Sequence, residues 1–267
     1  MIFQKIVLEE ENDGAVLDAY VADPTKGFKR KALLVIPGGG YSCVCSNREG
    51  EPIAQAFMPY GYNAFVLHYH VKQEKPFPVQ LIQAAKAIKY IKDHAEEWGI
   101  DPEQVFVVGF SAGGHLAASV GTLWKLDEVY QTVEMPYGYN KPTGVMLIYP
   151  VISGDFHRKS LEHLLCTKEP NRQDLEKVSI ERHVDQDSAP AFIMHSSNDQ
   201  IVDVRNSLHL AEAYKQANLQ FEMHIYPDAP HGVALANQIT WENNPKWNNK
   251  SIAEWVRMAA DWAEKLI

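Results

Sequence analysis

The sequence predicts an α/β fold, a mostly parallel central sheet with helices on both faces, and three observations point to it. Compact runs such as KALLVIP (31–37) and QVFVVGF (104–110) are apolar throughout, as strands buried on both faces must be. Between such runs lie segments whose apolar residues recur at helical spacing. Strand and helix patterns then alternate to the end of the chain, the order that crossover connections turn into a parallel sheet.

Taken in order, the first 30 residues (IVLEE, AVLDAYVADP, GFKRK) read as a pair of short antiparallel strands with a turn at Asn12-Asp13-Gly14. KALLVIP is the first parallel strand and ends in Gly38-Gly39-Gly40. EGEPIAQAFMPYG places Ile53, Ala54, Phe57 and Met58 on one helical face, and Gly61 closes that helix. NAFVLHYHV (63–71) is the next strand. Leu81, Ile82, Ala85, Ile88 and Ile91 form the apolar stripe of a long helix over 78–98, ended by Gly99. QVFVVGF, TGVMLIYP, PAFIMHSS and FEMHIYP follow as strands. SAGGHLAASVGTLW, VRNSLHLAEAYKQAN and NKSIAEWVRMAADWAEKLI follow as helices. Trp255 and Trp262, seven apart on the last helix, fit a face packed on the sheet.

Residues 153–188 break the alternation, being polar, charged and weakly periodic apart from Leu161, Leu164 and Leu165. An insertion of that length is either an active-site cap or a disordered excursion, and a small helical cap over the site is the expectation. The whole, 1–267, is expected to be one domain, since a chain of this size buries roughly 75% of its unfolded surface.

The formal net charge of -9 argues against nucleic acid or an anionic membrane as partner. The first residues lack the basic and apolar regions of a secretory signal, and no run of about 18 apolar residues occurs, so a cytoplasmic, soluble protein is expected. Cys43, Cys45 and Cys166 are expected to be reduced thiols, because the Cys43-x-Cys45 spacing is tighter than zinc patterns use.

Gly109-Phe110-Ser111-Ala112-Gly113 sits between a strand and a helix, the context a G-x-S-x-G nucleophile elbow requires. A turn that tight strains the serine backbone and puts its hydroxyl at a helix N-terminus, where negative charge is favoured. By itself the pattern also fits a purely structural turn. Two later segments strengthen it. Asp199 lies just past the strand PAFIMHSS and His231 just past the strand FEMHIYP, so acid and histidine follow the serine in the order this architecture uses. Asp203 competes with Asp199, but a residue there equally caps the next helix. The glycines after the first parallel strand let the backbone turn amides toward an oxyanion, so Gly39, Gly40 and Ala112 are the expected donors. A phosphate loop would need spacings that are absent.

With these sites, the chain resembles acetyl esterases of the α/β-hydrolase fold, and most closely their acetylxylan-esterase-like branch associated with hemicellulose breakdown. PGGGYSCVCSNREGEPIAQAF, YNAFVLHYHV, GFSAGGHLAASVG, PAFIMHSSNDQIVDVRNSL and PDAPHGVAL carry the resemblance across most of residues 35–235. It implies Ser111 as nucleophile, His231 as base, Asp199 as its orienter, and an acyl-serine route that needs no metal and no cofactor. It implies a small-molecule ester substrate, with acetylated xylan-derived or other sugar esters foremost. The chain departs from the pattern at His70, where relatives often carry arginine, and at Asp203, where they carry proline.

Tyr41, Tyr69, Trp124 and Tyr149 stand near strand ends where aromatics can stack on sugar rings, although most aromatics serve packing. Tyr41, Tyr69 and Glu49 are the substrate-binding candidates. Three alternatives stay open: a prolyl-oligopeptidase-like peptidase, a short-chain lipase or esterase of non-carbohydrate esters, and a catalytically silent binding module. The sequence leaves the oligomeric state open.

Overall fold

The apolar runs become one eight-stranded sheet in the computed structural model, which describes residues 1–9, 14–71 and 74–267. In chain order the elements are β1 (Ile2–Val7), β2 (Val16–Val21), β3 (Arg30–Ile36), α1 (Ser46–Glu49), α2 (Glu51–Phe57), β4 (Tyr62–His68), α3 (Val79–Asp93), β5 (Ile100–Phe110) and α4 (Ala112–Thr122). Then come α5 (Asp127–Thr132), β6 (Gly144–Ile148), α6 (Arg158–Leu164), α7 (Arg172–Val178), β7 (Ala191–Ser196), α8 (Arg205–Gln216), β8 (Phe221–Tyr226), α9 (Lys250–Ala253) and α10 (Trp255–Glu264).

The strands are ordered β1-β2-β4-β3-β5-β6-β7-β8. β1 and β2 pair antiparallel, β2 meets β4 antiparallel, and every later pairing is parallel. Side chains on a strand alternate between faces, and two cores follow from that. Ala32, Leu34, Val107, Leu147 and Ile193 point into one core with α3, α4 and α8; Leu33, Val35, Val108, Met146 and Phe192 point into the other with α2 and α10. Trp255 and Trp262 are buried in the second core, which gives the seven-residue spacing its reason.

Local chemistry moved some boundaries. The helix expected over 49–61 starts only at Glu51, because Gly50 separates α2 from the short α1 that precedes it. β5 begins earlier than its apolar run because Ile100 pairs with Arg30 before the register shifts. α5 lies in a stretch with too little periodicity to show in the sequence. The turn expected at Asn12-Asp13-Gly14 falls largely outside the described residues.

Residues 153–188 form two short helices, α6 and α7, with a 3-10 turn at Ile180–Arg182. Asn171 caps α7 by accepting the Asp174 amide at 2.9 Å. Leu161 and Leu164 anchor α6 in the first core. The excursion is also bonded to the body, with Ile180 N–H donating to the Ile152 carbonyl at 3.1 Å and Phe77 N–H to that of Leu164 at 3.0 Å. Among the described residues, no helix is long and apolar enough to cross a membrane.

Candidate active site

Parallel strands that start in register also end together, so the loops leaving β3, β5, β7 and β8 gather at one edge of the sheet. Ser111 stands between β5 and α4 with φ 53° and ψ -118°, left-handed backbone that costs a non-glycine residue about 1–3 kcal/mol. Its amide donates to the Ile148 carbonyl and its carbonyl accepts from the Val151 amide, both at 3.0 Å, so the β6 end fixes the turn from both sides. Glycine at 113 is a packing requirement. A Cβ there would stand 2.2 Å from the Ile36 carbonyl oxygen and 2.4 Å from that of Pro37.

The serine hydroxyl reaches His231 Nε2 at 2.9 Å, and His231 Nδ1 reaches Asp199 Oδ2 at 2.7 Å. With Nδ1–H donating to the carboxylate, Nε2 is left to accept the serine proton. The other Asp199 oxygen accepts the amides of Ile201 and Val202 at 2.9 and 3.0 Å. A second histidine, His195, is fully buried with Nε2 3.4 Å from Asp199 Oδ2. Nε2 donates to the Val202 carbonyl at 3.0 Å, and the Ser207 hydroxyl meets Nδ1 at 2.7 Å. Burial alone would raise the Asp199 carboxyl, but hydrogen bonds from His195 and His231 and the nearby His231 charge outweigh it and hold it well below the usual carboxylate range. Asp203 lies one position before Val204, the N-cap of α8, and turns away from the histidine, accepting the Arg205 amide at 2.8 Å and pairing with the Arg205 guanidinium at 2.7 Å.

Gly39 and Gly40 have φ values of 130° and 64°, and a Cβ on Gly39 would overlap the Cys43 carbonyl at 2.1 Å. The Gly38 amide is bound by Glu49 Oε2 at 2.8 Å. The amides of Gly39, Gly40 and Ala112 form no hydrogen bond with the described residues.

Sequence reasoning gave three residues here a place that the structure revises. Tyr41 is buried, its hydroxyl donating to His115 Nδ1 at 2.7 Å while His115 Nε2 donates to the Val178 carbonyl at 2.7 Å. Tyr69 is buried too, with its hydroxyl on the Pro37 carbonyl at 2.9 Å. Both rings found polar partners within the core and so stand behind the cleft wall, outside substrate reach. Glu49 touches the cleft, but one oxygen holds Gly38 and the other accepts the Tyr149 hydroxyl at 2.8 Å. Burial raises its carboxyl above the ordinary value despite those bonds. Trp124 and Tyr149 are buried as well, and His70 is buried with its amide on Gln83 Oε1 at 2.9 Å.

Other side chains line the cleft, a cavity of about 430 Å³, that the sequence did not announce. Arg48 stacks 3.7 Å over the Trp247 ring, donates to the Thr240 carbonyl at 3.2 Å and also to that of Gly232, next to His231. Tyr149 accepts the Ala234 amide at 3.0 Å, and the Trp255 indole donates to the Ala234 carbonyl at 2.9 Å. The cap supplies the facing wall. His163 Nδ1 donates to the Gly40 carbonyl at 2.8 Å, His157 Nδ1 to that of Ile201 at 3.1 Å, and the Ser160 hydroxyl meets His157 Nε2 at 2.9 Å. Only spatial convergence of distant segments reveals these, so the linear pattern held no signal for them. Cys45 joins the wall, with its sulfur 4.0 Å from that of Cys43.

A mostly parallel sheet with this strand order and a serine elbow at its carboxyl edge defines an α/β hydrolase. A family model described as BD-FAE matches residues 17–214, and the chain belongs to that family. Endo-1,4-beta-xylanase B from Butyrivibrio fibrisolvens is 34% identical over 214 residues, covering 78% of this chain and 33% of that protein. Acetylxylan esterase from Xylanibacter ruminicola is 26% identical over 265 residues, covering 95% and 50%. The chain thus spans a third to a half of these curated relatives. The crystal structure of an acetyl ester-xyloside bifunctional hydrolase from Caldicellulosiruptor lactoaceticus superposes with a TM-score of 0.83 at 31% identity, covering 98% of this chain and 96% of that one.

Proposed function

We propose that this protein is a serine carboxylic-ester hydrolase that removes short acyl groups, acetyl first, from carbohydrate esters. The observation that carries this reading is the unbroken contact path from Ser111 through His231 to Asp199 at the floor of the cleft. In the reaction, Ser111 Oγ attacks the ester carbonyl as His231 Nε2 takes its proton. Nε2 then gives that proton to the departing alcohol, leaving an acyl-serine. Water, deprotonated by the same nitrogen, attacks the acyl carbonyl and releases the acid. Asp199 keeps the imidazole in the productive tautomer throughout. The amides of Gly39, Gly40 and Ala112 receive the oxyanion, while Glu49, by occupying the Gly38 amide, holds the turn that presents them.

The carbohydrate part rests on the cleft wall and on relatives. Ser42, His157, Ser160 and His163 give that wall polar side chains, and two of the similar proteins carry acetyl-ester chemistry on xylose-based substrates in their names. Glycoside cleavage fits less well, because it takes two carboxyl groups flanking the bond, roughly 5–10 Å apart. Among the described residues Glu49 alone supplies a carboxylate to the cleft, and both its oxygens are engaged.

Two measurements test the reading. Ser111→Ala is expected to reduce p-nitrophenyl acetate turnover about 10⁴-fold or more with the circular-dichroism spectrum intact. A fluorophosphonate probe is expected to label the parent protein and not the variant. Undiminished turnover in the variant would remove the serine from the chemistry. A panel of acetylated xylo-oligosaccharides, feruloyl esters and longer acyl esters, ranked by kcat/KM, then decides the substrate class.

A further inference from the structure

A second groove, of about 760 Å³, opens beside the cleft, and Lys159 and His163 line both. A substrate longer than one sugar that fills the cleft can therefore continue along the cap. The groove's charges are unbalanced. Arg158, Lys159 and Lys168 face it against Glu162 alone, and Glu162 lies 4.0 Å from Arg158, which it offsets. The nearby acids Glu74 and Glu169 are not among its walls.

Lys159 and Lys168 are exposed, and among the described residues neither has a carboxylate at ion-pair distance. Among the described residues, the one Lys or Arg on the cleft's other wall, Arg48, lies 3.6 Å from Glu242 and is held by backbone carbonyls. A cationic groove on a chain of net charge -9 runs against the bulk field, and such a concavity raises the local concentration of anions.

We propose that this groove is a subsite for a carboxylate-bearing sugar. Its occupant is an acylated oligosaccharide in which a residue near the esterified one carries a uronate-type carboxylate, seated between Lys159 and Lys168 while the ester carbonyl meets Ser111. This rests on the esterase reading above. A singly charged carboxylate fits two exposed ammonium groups. A phosphate is usually gripped by arginine forks or helix amides, and here the Arg158 fork donates to the Pro170 carbonyl at 3.1 Å.

The test compares kcat/KM for acetate release from two acetylated xylo-oligosaccharides that differ only by a uronate branch. The charged one is expected to be preferred at low ionic strength, and the preference to shrink as salt passes about 0.1 M, where the screening length is near 10 Å. Lys168→Gln is expected to lower the charged-to-neutral ratio about twofold and Lys159→Gln/Lys168→Gln about fivefold. Because each enzyme's neutral substrate is its own reference, a general loss of activity does not mimic the effect. The same ratio in wild type and double variant, or a ratio insensitive to salt, overturns the subsite. Acetate release from neither oligosaccharide, with p-nitrophenyl acetate still hydrolysed, refutes the carbohydrate reading and the subsite with it.

Discussion

The two walls of the cleft are built in different ways. On one side, Ser111, the 38–40 turn and the His231 loop hang from strand ends, with backbone groups held by Ile148, Glu49, Tyr149 and Trp255. On the other, the cap presents His157, Lys159, Ser160 and His163 from a polar excursion anchored by two leucines. The difference teaches that atoms which must hold position to a fraction of an ångström are fixed through the core, whereas the groups facing them stand on an excursion outside the strand-helix alternation.

Changes to the first wall should therefore cost far more than changes to the second. The largest expected loss after the serine itself is at Asp199→Asn, about 10³- to 10⁴-fold in kcat, because the imidazole loses the partner that fixes its tautomer; a loss under tenfold would show that the His195 and backbone contacts suffice. Gly113→Ala comes next. Its methyl must displace the β3 carbonyls, so stability should fall by about 3 kcal/mol and Tm by about 10 °C in a thermal melt. A melt within about 2 °C of the parent would mean that the elbow yields.

Glu49→Gln separates rate from stability. Below pH 4.5 the carboxyl is protonated both folded and unfolded; as pH rises beyond that value the unfolded chain ionises first, so the buried carboxylate takes stability away. The glutamine variant should therefore melt no lower than the parent at pH 7.5, yet lose about 10-fold or more in kcat as the Gly38 turn loosens. Full activity with a lower Tm would reverse both halves. The smallest effect belongs to the cap: His163→Ala frees the Gly40 carbonyl and should change kcat/KM for sugar esters by about fivefold, read against p-nitrophenyl acetate.

Much of the first wall was legible in the sequence, because strand, glycine turn and helix follow one another within a few residues at Ser111 and again at the Gly38-Gly39-Gly40 turn. Asp199 and His231 were legible for the same reason, each standing at the end of an apolar run. The second wall was not. Residues 153–188 showed that something lay over the sheet, but which of their polar groups turn inward depends on contacts with Gly40 and Ile201, far away in the chain. Tyr41 and Tyr69 misled because an aromatic near a strand end looks the same whether its hydroxyl meets solvent or a buried partner such as His115. Arg48 and Trp247, about 200 positions apart, form their stack only through the fold.

Arg48 and Glu49 are chain neighbours that reach in different directions, one to the carbonyl beside His231 and one to the amide of Gly38. Each added residue turns a helical segment by about 100°, so a single insertion in 46–50 would swing one of them off its target. Length change during evolution is therefore expected to be frozen in this short turn, while the cap is at liberty to grow, shrink or be exchanged.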